Sequence, residues 1–349
     1  MFTHNIDNSK GSNLLMNYIN LSPIKAAITA VGAYVPEDKL TNADLEKMVD
    51  TNDEWIVART GIKERRILRD SSKGTSYMAI KAVQDLLKKR KIDPKEIDAV
   101  ILATITPDMN VAATAAYVAS EIGAVNAFAY DLQAACSGFL YGMSNAAAMI
   151  ATGRYQKVLL IGADKMSSIV DYSDRTTCII FGDGAGAVMF EPSESDYGWE
   201  DEYLRSDGNG RMFLNIKAGG SLYPASEETL HGGMHNLYQD GKTVFKYAVS
   251  EMTNAVEQII KRNEIKPESI SYLVPHQANK RIINAIAKRI GLPDQKLMSN
   301  IEYFGNTTAA TLPLLLRDYE SKLSPGDRLV FAAFGGGFTW GAAYLTWAY

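Results

Sequence analysis

Residues 129–142, AYDLQAACSGFLYG, decide the interpretation of this chain. A strand-like run over residues 127–130 leads into small residues, and Cys136 follows where a small-residue helix is predicted to begin. The free N–H groups and positive dipole of a helix start stabilise a thiolate, so we expect Cys136 to be activated. A lone cysteine is also typical of a buried structural position. Its assignment as a nucleophile therefore depends on the other motifs.

Length, charge and cysteine content limit the class of protein. The 349 residues suffice for two similar domains, and the net charge of −4 gives no indication of nucleic-acid binding. Two cysteines, Cys136 and Cys178, are too few for a disulfide framework and fit a reducing compartment. The sequence has no apolar run near the ~20 residues that span a bilayer. Residues 1–22 lack a signal-peptide pattern and are expected to be a flexible extension of a cytoplasmic protein.

The order of segments in the first half of the chain recurs in the second half. The segments AVILATITP, AYDLQAACSG, KVLLIGADK and GAGAVMF correspond to SYLVPHQAN, SNIEYFGNTTAA, DRLVFAAFGGG and WGAAYLTW. Such a duplication predicts an α/β fold with two pseudo-symmetric halves, residues 23–195 and residues 196–349. Cys136 and Asn306 would then lie at matching helix starts, and His276 would follow a strand of the second half. The three residues are thereby predicted to meet at one buried point.

Two segments near the middle of the chain carry weaker signals. The glycine-rich run FGDGAGAV, residues 181–188, resembles a phosphate loop but lacks its Lys-Ser/Thr ending. We therefore expect a tightly packed turn between strands there. The acidic residues 192–201 are predicted to form the crossover between the halves. His231 and His235 have no Cys or carboxylate partner that would complete a metal site, so no metal is expected.

A cysteine, a histidine and an asparagine fit two kinds of chemistry. In papain-like proteases the histidine is a base that an asparagine orients, but the local motifs and the duplicated order differ here. In decarboxylative condensation, His276 and Asn306 would donate hydrogen bonds to the enolate of a malonyl thioester. Cys136 would carry the acyl group as a thioester. The Cys136 N–H and an N–H from residues 335–337 would bind the tetrahedral oxyanion, since glycine permits close backbone approach.

The chain resembles β-ketoacyl-acyl carrier protein synthase III, one of the thiolase-like condensing enzymes. Six motifs carry the resemblance in family order and span residues 24 to 349: DEWIVARTGI, DLQAACSGF, IIFGDGAGA, VPHQANKRII, FGNTTAATLP and AFGGGFTWG. The resemblance implies a thiolase-like α-β-α-β-α fold and the condensing enzyme that initiates type II fatty acid synthesis. The alternatives are a related acyltransferase of a specialised pathway and a non-enzymatic scaffold subunit. Scaffold subunits lack the nucleophile, so the three reactive residues argue against that alternative.

The resemblance also implies roles for individual residues and partners. Acyl-CoA would load Cys136, and malonyl-acyl carrier protein would then react with release of CO2; coenzyme A is a substrate, and no cofactor is expected. The predicted roles are Cys136 as nucleophile, His276 and Asn306 as decarboxylation pair, Cys136 and Gly336 as oxyanion hole, Trp55, Arg59 and Arg175 as coenzyme A site, and Phe334 beside the sulfur.

Specificity and docking are predicted from two further features. Family members often have an aromatic residue or Thr, followed by Pro, where this chain has Val111 and Ala112. In the homodimer that the resemblance implies, this segment closes the partner's acyl pocket, so the smaller Val111 predicts longer or branched primers. An acidic carrier protein would dock on the basic face of one helix. The residues expected on that face are Arg281 and Lys288, with Lys246 and Arg289 extending it.

Overall fold

The computed structural model describes residues 24–349, and the predicted extension over residues 1–22 lies outside them. The strands are β1 (Ala26–Tyr34), β2 (Lys39–Thr41), β3 (Glu64–Arg66), β4 (Ala99–Ala103), β5 (Phe128–Leu132), β6 (Val158–Asp164), β7 (Gly184–Pro192), β8 (Gly198–Ser206), β9 (Leu214–Ile216), β10 (Leu237–Gln239), β11 (Tyr272–Pro275), β12 (Arg328–Gly335) and β13 (Thr339–Thr346). The helices are α1 (Asn42–Leu45), α2 (Asp53–Thr60), α3 (Thr75–Arg90), α4 (Thr114–Glu121), α5 (Gly138–Ala151), α6 (Glu227–His231), α7 (Gly241–Arg262), α8 (Lys280–Arg289), α9 (Ile301–Phe304) and α10 (Thr311–Tyr319).

Two mixed sheets with matching topology form the frame of the molecule. The first has the order β1-β7-β6-β4-β5 and the second β11-β12-β13-β8. In each sheet the central strand, β6 or β12, pairs in parallel with one neighbour and antiparallel with the other. An isolated parallel bridge between Leu273 and Leu297 stands where β5 stands in the first sheet. The segment-by-segment correspondence predicted from the sequence is therefore present in the strand order.

Alternation along the buried strands distributes the core into layers. Val158 and Leu160 of β6 belong to the central cluster, whereas Leu159 and Ile161 belong to the cluster on the opposite face. Such strands are apolar throughout because both faces of the sheet are covered. Helices α5 and α10 lie between the two sheets, α3 and α4 cover the outer face of the first, and α7 and α8 cover the second. The layer order is α-β-α-β-α.

In the middle of the chain the structure contradicts one expectation and shortens another. The glycine-rich run is not a turn, because residues from Gly184 onward form β7 in the buried sheet. Its glycines allow close approach of α10: a Cβ at Gly186 would lie 2.6 Å from the Pro313 Cβ. The crossover over residues 192–201 is also shorter than predicted, since β8 already begins at Gly198. Residues 193–197 alone connect the two sheets.

Candidate active site

Cys136 lies in a short turn between a strand and a helix. β5 ends at Leu132, the 3₁₀ turn Ala135–Ser137 follows, and α5 begins at Gly138. Ala135 has a left-handed φ of 47°. From the second sheet, Gly335 packs so closely that a Cβ there would lie 2.7 Å from the Cys136 nitrogen. The backbone of the predicted nucleophile is therefore held against a glycine of the other half.

Burial of the Cys136 side chain opposes the activated thiolate that is expected from a helix start. The side chain is buried, and burial together with the Asp164 carboxylate raises the pKa of Cys136 to about 12. Desolvation penalises the charged form of a thiol, and a nearby negative charge does the same. Both effects therefore oppose loss of the Cys136 thiol proton at neutral pH.

His276 follows the last residue of β11 and is held at two points. Its backbone N–H donates to the Ala332 carbonyl at 2.8 Å, and its Nδ1 lies 2.8 Å from the Thr311 hydroxyl. The ring is almost completely buried, and burial lowers the pKa of His276 to about 3. The imidazole is therefore neutral at physiological pH, which suits a residue expected to act through hydrogen bonds and not through its charge.

Asn306 is fixed by the chain on both sides of its amide. Its N–H donates to the Ile180 carbonyl at 2.9 Å, and its own carbonyl accepts from the Gly182 N–H at 3.1 Å. The side-chain Oδ1 accepts from the Thr308 N–H at 2.8 Å. Since that contact occupies the oxygen, the Nδ2 group is the part of the side chain that can donate to a ligand.

One cavity of about 590 Å³ brings the three predicted reactive residues together. Cys136, His276 and Asn306 all line it, and Phe334 lies in the same wall. The four positions come from separate parts of the sequence and from both halves. The predicted meeting point of the duplicated halves is therefore present.

A second cavity, of about 1060 Å³, opens on the other side of Cys136. Gly336 lines this cavity with Cys136, beside the carbonyl of Leu214. Much of its wall is apolar, formed by Ile105, Met166, Phe181, Leu214, Ile216 and Leu237. Cys136 thus lines two cavities, an arrangement that suits a reaction of two substrates at one nucleophile.

The predicted coenzyme A residues form one cluster at the surface. The Arg59 guanidinium lies 4.4 Å from the centroid of the Trp55 ring, and that of Arg175 lies 5.6 Å from it. Arg175 also donates to the backbone carbonyl of Asp50 at 2.8 Å. Arginines over an indole give a flat, cationic surface suited to a planar, anionic ligand.

Comparison with known proteins identifies the family. The profile described as 3-oxoacyl-[acyl-carrier-protein] synthase III matches residues 130–208, and its C-terminal counterpart matches residues 260–347. A β-ketoacyl-[acyl-carrier-protein] synthase III of Phocaeicola vulgatus is 54% identical over 94% of this chain and 98% of its own length. The chain belongs to the β-ketoacyl-[acyl-carrier-protein] synthase III family. It is an acyltransferase, a condensing enzyme that initiates fatty acid synthesis.

Other comparisons confirm the fold of this synthase. A synthase III of Chlorobium chlorochromatii is also 54% identical, over 93% of this chain and all of its own. The crystal structure of 3-oxoacyl-[acyl-carrier-protein] synthase III from Aquifex aeolicus VF5 superposes with a TM-score of 0.85 at 40% identity. It covers 92% of this chain and 100% of that one. The predicted thiolase-like architecture and enzyme class are therefore correct.

The basic residues predicted for docking are on the surface of the synthase but are not equivalent. Arg281 and Lys288 are exposed on α8, and Lys246 is exposed on α7. The Arg281 guanidinium lies 5.2 Å from the centroid of the Phe245 ring. Arg289 forms an ion pair with Glu257 at 3.0 Å, so part of its charge is already compensated. The positive face therefore depends on the other three residues more than on Arg289.

Val111 lines neither cavity beside Cys136. It is fully exposed, with a left-handed φ of 76°, and lies just before α4. Exposed apolar side chains surround this region and the edge strand β5; they are Met109, Tyr117, Val125 and Phe128. An influence of Val111 on acyl specificity would therefore have to act on another copy of the chain.

His231 and His235, the two histidines considered above as metal ligands, lie at the end of α6 and four residues after it. His235 Nε2 lies 3.0 Å from the Thr229 hydroxyl. In residues 24–349, no group of three or more His, Cys, Asp or Glu side chains is arranged to hold a metal ion. The same residues include no helix that is long and apolar enough to cross a membrane.

Sequence reasoning missed Asp164, which ties the two halves together beneath the site. This buried carboxylate closes β6 and accepts hydrogen bonds from residues 104–106 and from Thr308 and Ala309. Burial raises its pKa, and the hydroxyl and N–H donors oppose that rise. The sequence signal that could have identified Asp164 is an acidic residue at the end of an apolar strand, VLLIGAD.

Proposed function

We propose that this synthase transfers an acyl group from acyl-CoA to Cys136 and then condenses it with malonyl-acyl carrier protein. The products are a 3-oxoacyl-acyl carrier protein, coenzyme A and CO2. The observation that carries the proposal is the cavity in which Cys136, His276 and Asn306 meet. The names of the 54% identical relatives support the same reaction class.

In the first half-reaction the Cys136 sulfur attacks the thioester carbonyl of acyl-CoA. The new C–S bond replaces the bond to coenzyme A, whose sulfur takes up the proton that Cys136 loses. The Cys136 and Gly336 N–H groups stabilise the tetrahedral oxyanion, and Gly336 lines a cavity with the nucleophile. No redox or metal step is involved, so the reaction requires no cofactor beyond the thioester substrates.

In the second half-reaction the malonyl thioester loses CO2, and negative charge develops on its thioester oxygen. His276 and Asn306 donate hydrogen bonds to that oxygen; neither residue changes its charge. The resulting carbanion attacks the acyl group on Cys136, and the sulfur leaves and regains a proton from solvent. The neutral imidazole of His276 suits this role because a donor must not be consumed as a base.

The partners follow from three surfaces. Trp55, Arg59 and Arg175 hold the adenine end of coenzyme A, and their stacked geometry supports this. The acidic carrier protein docks on Arg281 and Lys288, with Lys246 nearby. The homodimer forms along β5, which is an edge strand among residues 24–349 and carries exposed apolar side chains such as that of Phe128.

The primer occupies the second cavity. Its apolar wall favours acyl chains longer or more branched than acetyl, because each extra buried methylene contributes about 0.8 kcal/mol. The cytoplasm supplies such CoA thioesters and keeps Cys136 and Cys178 reduced.

Intact-mass spectrometry tests the proposal. The protein is incubated with acetyl-, isobutyryl- and hexanoyl-CoA, and malonyl-acyl carrier protein is then added while CO2 release is followed. We expect one acyl group per chain, removed by condensation, and no adduct on Cys136→Ala. The matched control is Cys178→Ala, because Cys178 is buried in another cluster and lines neither cavity. Acylation mapped to Cys178, or no adduct with any CoA, would contradict the proposal.

A further inference from the structure

Thr311, the first residue of α10, contacts the imidazole ring of His276. It is 1% exposed, and its Oγ1 lies 2.8 Å from His276 Nδ1 and 3.0 Å from the Thr308 carbonyl. A threonine hydroxyl has one proton and can donate to one of these groups at a time. The direction of this hydroxyl therefore determines which nitrogen of the neutral imidazole is protonated.

The two directions give His276 opposite properties in the cavity. A hydroxyl that donates to the Thr308 carbonyl accepts from Nδ1–H, which leaves Nε2 as a bare acceptor. A hydroxyl that donates to Nδ1 places the ring proton on Nε2, which then faces the cavity as a donor. Decarboxylation needs a donor at this position, since charge develops on the thioester oxygen. Only the second direction equips His276 for the proposed reaction.

The hydrogen bonds around Thr311 favour that second direction. The Thr308 carbonyl already accepts the backbone N–H of Thr311, so it is satisfied without the hydroxyl. The separation of 3.0 Å between Thr311 Oγ1 and the Thr308 carbonyl oxygen is also at the long end of the range for an O–H···O hydrogen bond. We propose that Thr311 is a positioning residue that fixes His276 as the Nε2–H tautomer and thereby makes it a hydrogen-bond donor.

The same turn orients the second donor. The Thr308 N–H bonds Asn306 Oδ1 at 2.8 Å and so leaves Nδ2 available, just as the Thr311 hydroxyl leaves Nε2–H available. Residues 308–311 therefore aim both members of the pair by occupying the acceptor atom of each. This inference rests on the proposed decarboxylation, and it assigns to one turn the orientation of both donors.

Two substitutions separate the hydroxyl from the shape of the side chain. Thr311→Val keeps the branched shape and removes the hydroxyl, whereas Thr311→Ser keeps the hydroxyl. We expect Thr311→Val to lower the rate of malonyl decarboxylation by about 10²-fold, the scale for loss of one such donor. Acylation of Cys136 by acyl-CoA should change far less, and Thr311→Ser should restore most of the decarboxylation rate.

Nitrogen NMR of the histidines gives a readout that a purely structural role would not change. The chain has four histidines, so 15N-histidine labelling with His276→Ala as the assignment control isolates the His276 ring. We expect Nε2–H in the wild type and a loss of that preference in Thr311→Val. A wild-type ring protonated on Nδ1 overturns the proposal even if the Val variant does not fold. The proposal is also overturned if folded Thr311→Val decarboxylates malonyl thioesters at the same rate as the wild type. If the wild type fails to decarboxylate malonyl thioesters at all, the proposed function fails instead.

Discussion

The two halves of the molecule contain the same kind of turn, and each turn serves the site differently. Ala135–Ser137 precedes α5 in the first half, and Thr308–Ala310 precedes α10 in the second. Each turn includes one residue other than glycine in the left-handed region, with φ of 47° at Ala135 and 51° at Thr308. The first turn presents a thiol to the cavities. The second turn and Thr311, the residue that follows it, present no thiol and instead contact the side chains of Asn306 and His276, the two proposed donors.

Each turn is held by a glycine on the central strand of the other half. A Cβ at Gly335 of β12 would lie 2.7 Å from the Cys136 nitrogen, and one at Gly162 of β6 would lie 2.4 Å from the Ala309 carbonyl. The duplicated scaffold thus fixes both turns by the same crossed contact. The side chains on each turn, rather than its geometry, determine whether it supplies the nucleophile or the donors.

Replacing the two crossed glycines should give the largest effects, and different ones. The added methyl group of Gly335→Ala should displace the first turn, here called the nucleophile turn, and mainly slow acylation of Cys136. That of Gly162→Ala should displace the second turn, here called the donor turn, and mainly slow decarboxylation. Overpacking of this kind costs roughly 1–3 kcal/mol of folding free energy. Thermal unfolding and the two half-reaction rates measure the outcome. Gly208→Ala is the control, since nothing lies within 4 Å of its Cβ. Equal loss of both rates in both variants would remove the distinction between the turns.

Charge reversal on α8 should have a smaller effect, confined to the reaction that uses the donor turn. Arg281→Glu with Lys288→Glu should raise the KM for malonyl-acyl carrier protein several-fold, because charge complementarity between exposed groups steers docking. Acyl-CoA kinetics should not change, and added salt should reduce the difference. Arg289→Glu is the matched control, because Glu257 already pairs with that residue. An unchanged KM would mean that this face is only a solvated helix surface.

Val111→Phe should have the smallest effect and should act only on the reaction of the nucleophile turn. If the homodimer places this exposed residue at the end of the partner's acyl cavity, the larger side chain shortens that cavity. The ratio of kcat/KM for hexanoyl-CoA to that for acetyl-CoA should then fall, while acetyl-CoA itself reacts as before. If the wild type already prefers acetyl-CoA strongly and Val111→Phe leaves the kcat/KM ratio unchanged, the acyl pocket does not end at Val111.

The sequence predicted much of this arrangement because its signals are local. The continuous apolar runs AVILAT (residues 99–104) and VLLIG (residues 158–162) predicted the buried strands β4 and β6, and the repeated order of segments predicted the matching sheets. The meeting of Cys136, His276 and Asn306 followed from that repeat and from the family motifs. These signals are readable because each depends on residues close together in the chain.

The features that sequence reasoning missed depend on tertiary packing. The state of the Cys136 thiol depends on burial and on Asp164, which is 28 residues further along the chain and contributes its charge only in the fold. The glycine-rich run over residues 181–188 predicted a turn because glycine is common in turns. Its glycines are instead needed where α10 crosses β7. Nothing in the sequence distinguishes Thr311 from other helix residues, because its contact with the His276 imidazole forms only in the fold.

We infer that Cys136 on the first turn carries out acyl transfer. The second turn, which orients His276 and Asn306, serves only decarboxylation. Single-turnover acylation, followed by intact mass, and malonyl decarboxylation should therefore be measured on folded His276→Ala and Asn306→Ala. We predict that both variants become acylated on Cys136 and lose about 10²–10³-fold in decarboxylation rate. A folded variant of either kind that fails to acylate at Cys136 would contradict the claim, since the donor pair would then serve the first half-reaction as well.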